Sequence, residues 1–258
     1  DTCPDVAAAR DAGIPVYFRG EVLPRLLQNH RSVAVCGTHG KTTTATFIAQ
    51  LLRSAGREPS WCIGGEAAGL EGVAGVGSGE VLVVEADESD GTLALYAPDI
   101  TVVGSVEFDH MEHFDGTDAF EECFRRCIRQ TRDCVVFCAD DARASALAAG
   151  ARRGVSYGLS EGAQVRARGL TEQGRRQRFE LWVDGTCRGT IDLPAAGTHN
   201  VRNLLAALAV TRELGVDPGR ACRAAQSVAL PRRRLERVVA RPNLVVVSDY
   251  AHHPTEIE

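Results

Sequence analysis

The sequence predicts an α/β fold: a mostly parallel sheet flanked by helices, with a small antiparallel β insertion. Two observations carry this. Short apolar runs of strand length alternate with amphipathic stretches of helix length, the pattern of a parallel sheet covered by helices. One later segment, residues 163 to 193, instead alternates apolar and polar residues, as a meander with one wet face does. The chain has 258 residues, 44% of them hydrophobic and 24% charged, enough to bury a real core and ordinary for a globular protein.

Taken in order, Val6–Arg10 reads as helical, Ile14–Tyr17 as extended, and a helix follows near Val22 to Gln28. Residues 1 to 31 have too little apolar surface to stand alone. Ser32–Cys36 is a buried-strand pattern, followed by a glycine-containing turn and a helix over Lys41 to Ala55. That helix carries Phe47, Ile48, Leu51, Leu52 and Ala55 on one face, with Gly56 to cap its end. Strands are expected at Val81–Val84, Ile100–Val103 and Cys134–Phe137, and a helix at Asp118–Gln130 with Thr117 as N-cap. The meander turns around Asp184-Gly185. Helices from Asn200 to Leu214, ended by Gly215, and from Pro218 to Ala229 come next, then an arginine group at 232 to 234 and a strand at Leu244–Val247. Nothing after that strand can pair with or cover it, so the chain is expected to be part of a longer protein.

Charge and composition exclude several classes. The net charge of -5, from 29 basic and 34 acidic residues, gives no broad positive field for a nucleic-acid backbone. No apolar run approaches the roughly 18 residues of a membrane span, and the acidic start is unlike a signal peptide, so a cytoplasmic protein is expected. Nine cysteines without secretory signals fit reduced thiols. Cys123, Cys127, Cys134 and Cys138 are spaced for a metal cluster, but without a C-x2-C knuckle; Cys123 and Cys127 also fit the apolar face of the 118–130 helix as small hydrophobes. The chain has a single lysine, Lys41, so chemistry that needs a lysine must use it.

Gly37-Thr38-His39-Gly40-Lys41-Thr42-Thr43 lies between a strand and a helix, where backbone N–H groups and the helix dipole cradle phosphate. The first glycine of the usual P-loop spacing would fall at residue 35, which is Val35. A helix-capping turn is the alternative reading. As a P-loop, Lys41 neutralises the β/γ-phosphates and Thr42 ligates Mg²⁺. Glu85-Ala86-Asp87-Glu88-Ser89-Asp90 follows a hydrophobic strand, and Asp109-His110 follows the next. In an open α/β sheet strand ends are where ligands bind, although acidic residues there also serve as plain loop solvation and a lone histidine as a structural partner.

These motifs, with Gly197-Thr198-His199-Asn200-Val201-Arg202-Asn203 and Asp249-Tyr250-Ala251-His252-His253-Pro254-Thr255-Glu256, stand in the order seen in the Mur ligases, which the chain resembles over essentially its whole length. Within that family the resemblance is strongest to the members that join L-alanine to UDP-N-acetylmuramate in peptidoglycan synthesis. It implies a P-loop ATPase domain at 32–231, preceded by the end of a UDP-sugar-binding domain at 1–31 and followed by the start of a C-terminal domain at 232–258. It also implies amide formation through an acyl phosphate, with ATP and Mg²⁺ as cofactors. Carried over by position, Lys41, Glu85 and His110 are the catalytic set; Thr42 and Glu85 hold one Mg²⁺, and Glu85 with His110 a second.

The resemblance further implies that the loop residues 37 to 43 with His199, Asn200 and Asn203 hold the nucleotide, the last three near the adenine. Asn200 would serve equally as a helix cap. Arg233 or Arg234 matches a phosphate contact, in a register left open because Leu235 stands where the family usually has an aromatic; an arginine run is otherwise a solvated face. By the same resemblance, Ser89, Asp249, Tyr250 and His252 are expected to face substrate. Two departures bear on this. Gly104-Ser105 replaces a usual asparagine, and no lysine is left for the carbamylated lysine of later family members. The second favours either the L-alanine branch or a recycling relative that attaches a whole tripeptide. A nucleotide-binding fragment inactive by itself is the third reading. The sequence leaves the oligomeric state open.

Overall fold

The computed structural model describes residues 3–109 and 111–257. Helices α1 (Pro4–Asp11) and α2 (Arg19–Leu26) lead into β1 (Arg31–Cys36), and α3 (Lys41–Ser54) follows the glycine loop. Then come β2 (Ser60–Cys62), β3 (Ala74–Gly75), β4 (Val81–Glu85), β5 (Ile100–Val103), α4 (Thr117–Gln130), β6 (Cys134–Cys138), α5 (Ala142–Ala148) and β7 (Gly154–Gly158). The meander is β8 (Val165–Gln173), β9 (Arg176–Val183) and β10 (Thr186–Leu193). Helices α6 (Thr198–Glu213) and α7 (Pro218–Ala224), the hairpin β11 (Glu236–Arg241) and β12 (Leu244–Ser248), and α8 (Pro254–Ile257) complete the chain.

Ten strands form one sheet in the order β10-β9-β8-β7-β6-β5-β1-β4-β2-β3. From β8 across to β2 every pairing is parallel, whereas β8-β9-β10 and β2-β3 pair antiparallel. The meander therefore extends the main sheet at one edge. Its strands alternate burial, with Val165, Phe179, Leu181, Val183, Ile191 and Leu193 inside, which is the period-2 signal read in the sequence. The parallel strands β1, β4 and β5 are buried almost throughout, as expected where helices cover both faces. In α3, Phe47, Ile48, Leu51 and Leu52 are fully buried, and this helix packs against α6.

β1 sits beside β4 and β5, with Val35 opposite both Glu85 and Val102. This register brings the carboxyl ends of three neighbouring strands to one edge of the sheet, and the loops leaving them are the three motif segments 37–43, 85–90 and 105–109.

Several elements depart from expectation. Ile14–Tyr17 runs extended but joins no sheet, leaving Ile14 58% and Tyr17 48% exposed. The helix expected after Thr117 begins at Thr117 with Gly116 at its cap, because φ of 95° there suits glycine. The helix at 218 ends at Ala224 and continues only as a 3₁₀ turn to Ser227. The final strand does have a partner: β11 pairs antiparallel with β12. Strands β2, β3 and β7 and helix α5 were missed for want of length or periodicity. The cysteines Cys123, Cys127, Cys134 and Cys138 are free thiols at most 5% exposed, packed in the core with Phe120, Phe124 and Ile128. Burial pushes Cys127 and Cys134 up to about 12, so they are neutral small hydrophobes.

Candidate nucleotide-binding site

The glycine loop is built by local sterics. Gly37 has φ of 118°, and a Cβ there would lie 2.9 Å from the Gly104 nitrogen and the Ser105 oxygen; Gly40, at φ of 79°, would press a Cβ to 2.4 Å from Asn203 Oδ1. Only glycine fits either place. Thr38 N donates to Ser105 O at 2.7 Å. The Thr38 hydroxyl donates to Glu107 O and accepts from Glu107 N, both at 2.9 Å. The loop is thus fixed to the strand-end segment through the backbone groups of Ser105 and Glu107.

Lys41 Nζ, on the first turn of α3, lies 3.1 and 3.0 Å from the two carboxylate oxygens of Glu88 and 3.5 Å from Asp87 Oδ1. Burial alone would lower the Lys41 pKa, but the Glu88 and Asp87 carboxylates outweigh it and hold the ammonium above its ordinary value. Glu88 is 2% exposed; burial raises its pKa, with Lys41 pulling the other way. Thr42 Oγ1 donates to Glu85 Oε1 at 3.1 Å, and Gly64 N donates to Glu85 Oε2 at 2.7 Å. A hydroxyl oxygen and a carboxylate oxygen side by side suit a hard cation such as Mg²⁺.

A cleft of about 1020 Å³ opens over these groups. Thr38, His39, Gly40, Lys41, Thr42, Glu85 and Ser89 line it, together with Arg233, Arg234, Tyr250 and His252 from the C-terminal segment. The guanidinium carbons of Arg233 and Arg234 lie 4.6 and 5.5 Å from the Tyr250 ring centroid, a cation–π pair that keeps positive charge at the cleft.

Other expected residues sit elsewhere. Gly37 packs against the Gly104–Ser105 backbone, and Thr43 is buried in α3. Asn203 accepts from Thr44 Oγ1 at 3.3 Å and ties α6 to α3, Asn200 Nδ2 donates to Ala196 O at 2.7 Å, and His199 is exposed at the start of α6. Asp249 accepts backbone N–H groups of Leu235 and Ala251 at 2.6 and 2.7 Å, shaping the end of the hairpin. His110 lies outside the described residues.

Sequence reasoning missed Glu88, Arg232, Glu107, His253 and Glu256. Glu88 lay within the acidic run, but nothing in that run singled out which carboxylate turns inward to the only lysine. Arg232, His253 and Glu256 line the cleft. His39 Nδ1 lies 3.2 Å from Glu256 Oε1 and its Nε2 lies 3.4 Å from Glu107 Oε2. Burial would raise the pKa of Glu107, but hydrogen bonds from Thr255 and His39 hold it below the usual value.

Among the described residues no helix is long and apolar enough to cross a membrane. The sequence profile of the Mur ligase middle domain matches residues 35–211. The chain is 43% identical, over its whole length, to UDP-N-acetylmuramate–L-alanine ligase of Kineococcus radiotolerans, covering 55% of that protein. It is 38% identical over 99% of its length to the enzyme of the same name from Solidesulfovibrio magneticus, covering 56%. Among solved structures, UDP-N-acetylmuramate-alanine ligase of Thermotoga maritima superposes with a TM-score of 0.85 at 28% identity, over 98% of this chain and 59% of that one. The UDP-N-acetylmuramate:L-alanyl-gamma-D-glutamyl-meso-diaminopimelate ligase of Neisseria meningitides gives 0.76 at 27% identity, over 86% of this chain and 74% of that one. The chain spans about half the length of the curated relatives it matches. On the profile match, the identity to the curated relatives and the common fold, this chain belongs to the Mur ligase family.

Proposed function

We propose that this chain is the ATP-binding part of a cytoplasmic ligase that joins L-alanine to UDP-N-acetylmuramate. Residues 32–231 form the ATPase domain in this reading, 1–31 the end of a UDP-sugar domain, and 232–258 the start of a closing domain. The observation that carries it is the convergence of Lys41, Thr42 and Glu85 on one cleft, together with 43% identity to a ligase of that name.

In the reaction, a carboxylate oxygen of the muramoyl group attacks the γ-phosphorus of ATP and the bond to the ADP oxygen breaks. The alanine amine then attacks the acyl phosphate carbon, expelling inorganic phosphate and losing a proton. Both reactants of the first step are anions, so charge neutralisation and alignment supply most of the catalysis. Lys41 leaves Glu88 for the β/γ-phosphates, and the backbone N–H groups at the start of α3 face the same oxygens. Arg233 and Arg234 supply positive charge to the same cleft. Thr42 and Glu85, with His110, would hold Mg²⁺, which shields phosphate charge when bound. Ser89, Tyr250 and His252 border the space left for the muramoyl group. Asn200 and Asn203 support the loop beneath the adenine side, and His199 borders that side.

The test is release of ADP by the full-length protein given UDP-N-acetylmuramate with either L-alanine or the tripeptide L-alanyl-γ-D-glutamyl-diaminopimelate. Stimulation by L-alanine is the expected result. Stimulation by the tripeptide alone would assign the recycling reaction, a reading favoured by the likeness to the Neisseria protein.

A further inference from the structure

His39, Glu107 and His253 present three ligand atoms that all lie within 4.8 Å of one another. His39 Nε2 is 3.4 Å and His253 Nδ1 is 3.7 Å from the same Glu107 oxygen, Oε2. Zinc bonds of ~2.0–2.2 Å to nitrogen and oxygen require ligand–ligand separations of roughly 3.3–3.5 Å in a tetrahedron. The two edges to Glu107 Oε2 are close to that size, and the third, between the two imidazoles, is no longer than 4.8 Å.

A second observation concerns what stands behind the ligands. The other nitrogen of His39, Nδ1, faces Glu256 Oε1 at 3.2 Å. A carboxylate behind the imidazole fixes the tautomer with Nε2 free to bind and orients the ring, as in carboxylate–histidine–zinc arrangements. Glu107 is held in turn by the Thr255 hydroxyl at 2.8 Å. All three ligands are partly buried, with side chains 16%, 33% and 21% exposed.

We propose that His39, Glu107 and His253 form a binding site for a borderline divalent transition metal such as Zn²⁺, separate from the oxygen-donor site at Thr42 and Glu85. Two imidazole nitrogens and one carboxylate select zinc, cobalt or nickel over Mg²⁺, which prefers oxygen. The ligands come from the phosphate loop, from the segment after β5, and from the residues leading into α8. An ion there staples the C-terminal segment to the phosphate loop. The site stands on its own geometry, whatever reaction the longer protein performs.

The test is titration of this chain with Co²⁺, read by visible d–d absorption, with Zn²⁺ as competitor. One Co²⁺ per folded chain is expected, displaced by Zn²⁺ and unmoved by a large excess of Mg²⁺. His253→Ala and Glu107→Gln should each weaken binding by at least roughly tenfold, and Glu256→Gln by about tenfold through loss of ring orientation. Circular dichroism reports whether each variant folds; Glu107→Gln, nearly isosteric, stands in if His253→Ala does not. No d–d absorption from the folded chain, unchanged affinity in the folded variants, or a thiolate charge-transfer band placing the ion on cysteine would overturn the proposal.

Discussion

The Lys41 ammonium lies 3.0 and 3.1 Å from the two carboxylate oxygens of Glu88, so the only lysine in the chain is held by an acid that is 2% exposed. Glu88 occupies the lysine as a phosphate would, and nucleotide must displace it. Glu88→Gln weakens that competitor while keeping an acceptor in place. Mg²⁺-ATP should bind the variant more tightly, by about three- to tenfold, as read by calorimetry; weaker binding would show that Glu88 positions the lysine instead.

The same pair sets a stability expectation. Lys41→Ala leaves Glu88 buried without its cation, and breaking a buried pair from one side costs about 3 kcal/mol or more. Chemical denaturation should show a loss of this order at pH 7. Because burial already favours neutral Glu88, the loss should shrink as pH falls and Glu88 takes up a proton.

Glu85 bridges Thr42 and the backbone of Gly64. Glu85→Gln keeps the shape and removes the charge. Its cost in stability should stay near 1 kcal/mol, while the Mg²⁺ dependence of ATP binding is largely lost. Equal losses of stability and of nucleotide binding would make Glu85 a structural residue.

Gly40→Ala tests the loop sterics. Its Cβ would meet Asn203 Oδ1 at 2.4 Å in a backbone of φ 79°, so a loss of roughly 2 kcal/mol is expected. Adding Asn203→Ala should recover only part of it, since the clash is relieved and the backbone strain is not. Thermal denaturation of the single and double variants measures both.

Asp140 accepts from Leu159 N at 2.8 Å, Ser160 N at 2.9 Å and Arg202 Nε at 2.9 Å. Burial would raise its pKa, but hydrogen bonds from Ser160 and Leu159 and from Arg202 hold it below 3.8. A depressed native pKa gives stability that is complete above the unfolded value and lost as pH falls through the native one. Asp140→Asn should therefore cost about 2 kcal/mol at pH 7, a gap that narrows below pH 3.8 in acid denaturation curves.

The sequence was most legible where the period was strong. β1, β4, β5 and α3 announce themselves through continuous apolar runs and a one-sided helix face, and the motif loops fall at their ends. Strands of two or three residues such as β2 and β3 carry no period. β11 was hidden because its burial is shallow and its residues are mixed. Chemistry followed the same division. Lys41 and Thr42 could be read from the local loop pattern and Glu85 only from the resemblance to the family, whereas the pairing of Lys41 with Glu88 and the cluster of His39, Glu107 and His253 join residues up to 214 positions apart and exist only once the strands are in register.

Calorimetric titration of Mg²⁺-ATP into this chain, with Lys41→Ala beside it, tests the central claim most directly. Saturable binding at one site, lost or weakened by at least about a hundredfold in the folded variant, is the result predicted for a phosphate loop of this geometry. Equal binding by both proteins, or none by a chain shown to be folded, would contradict it.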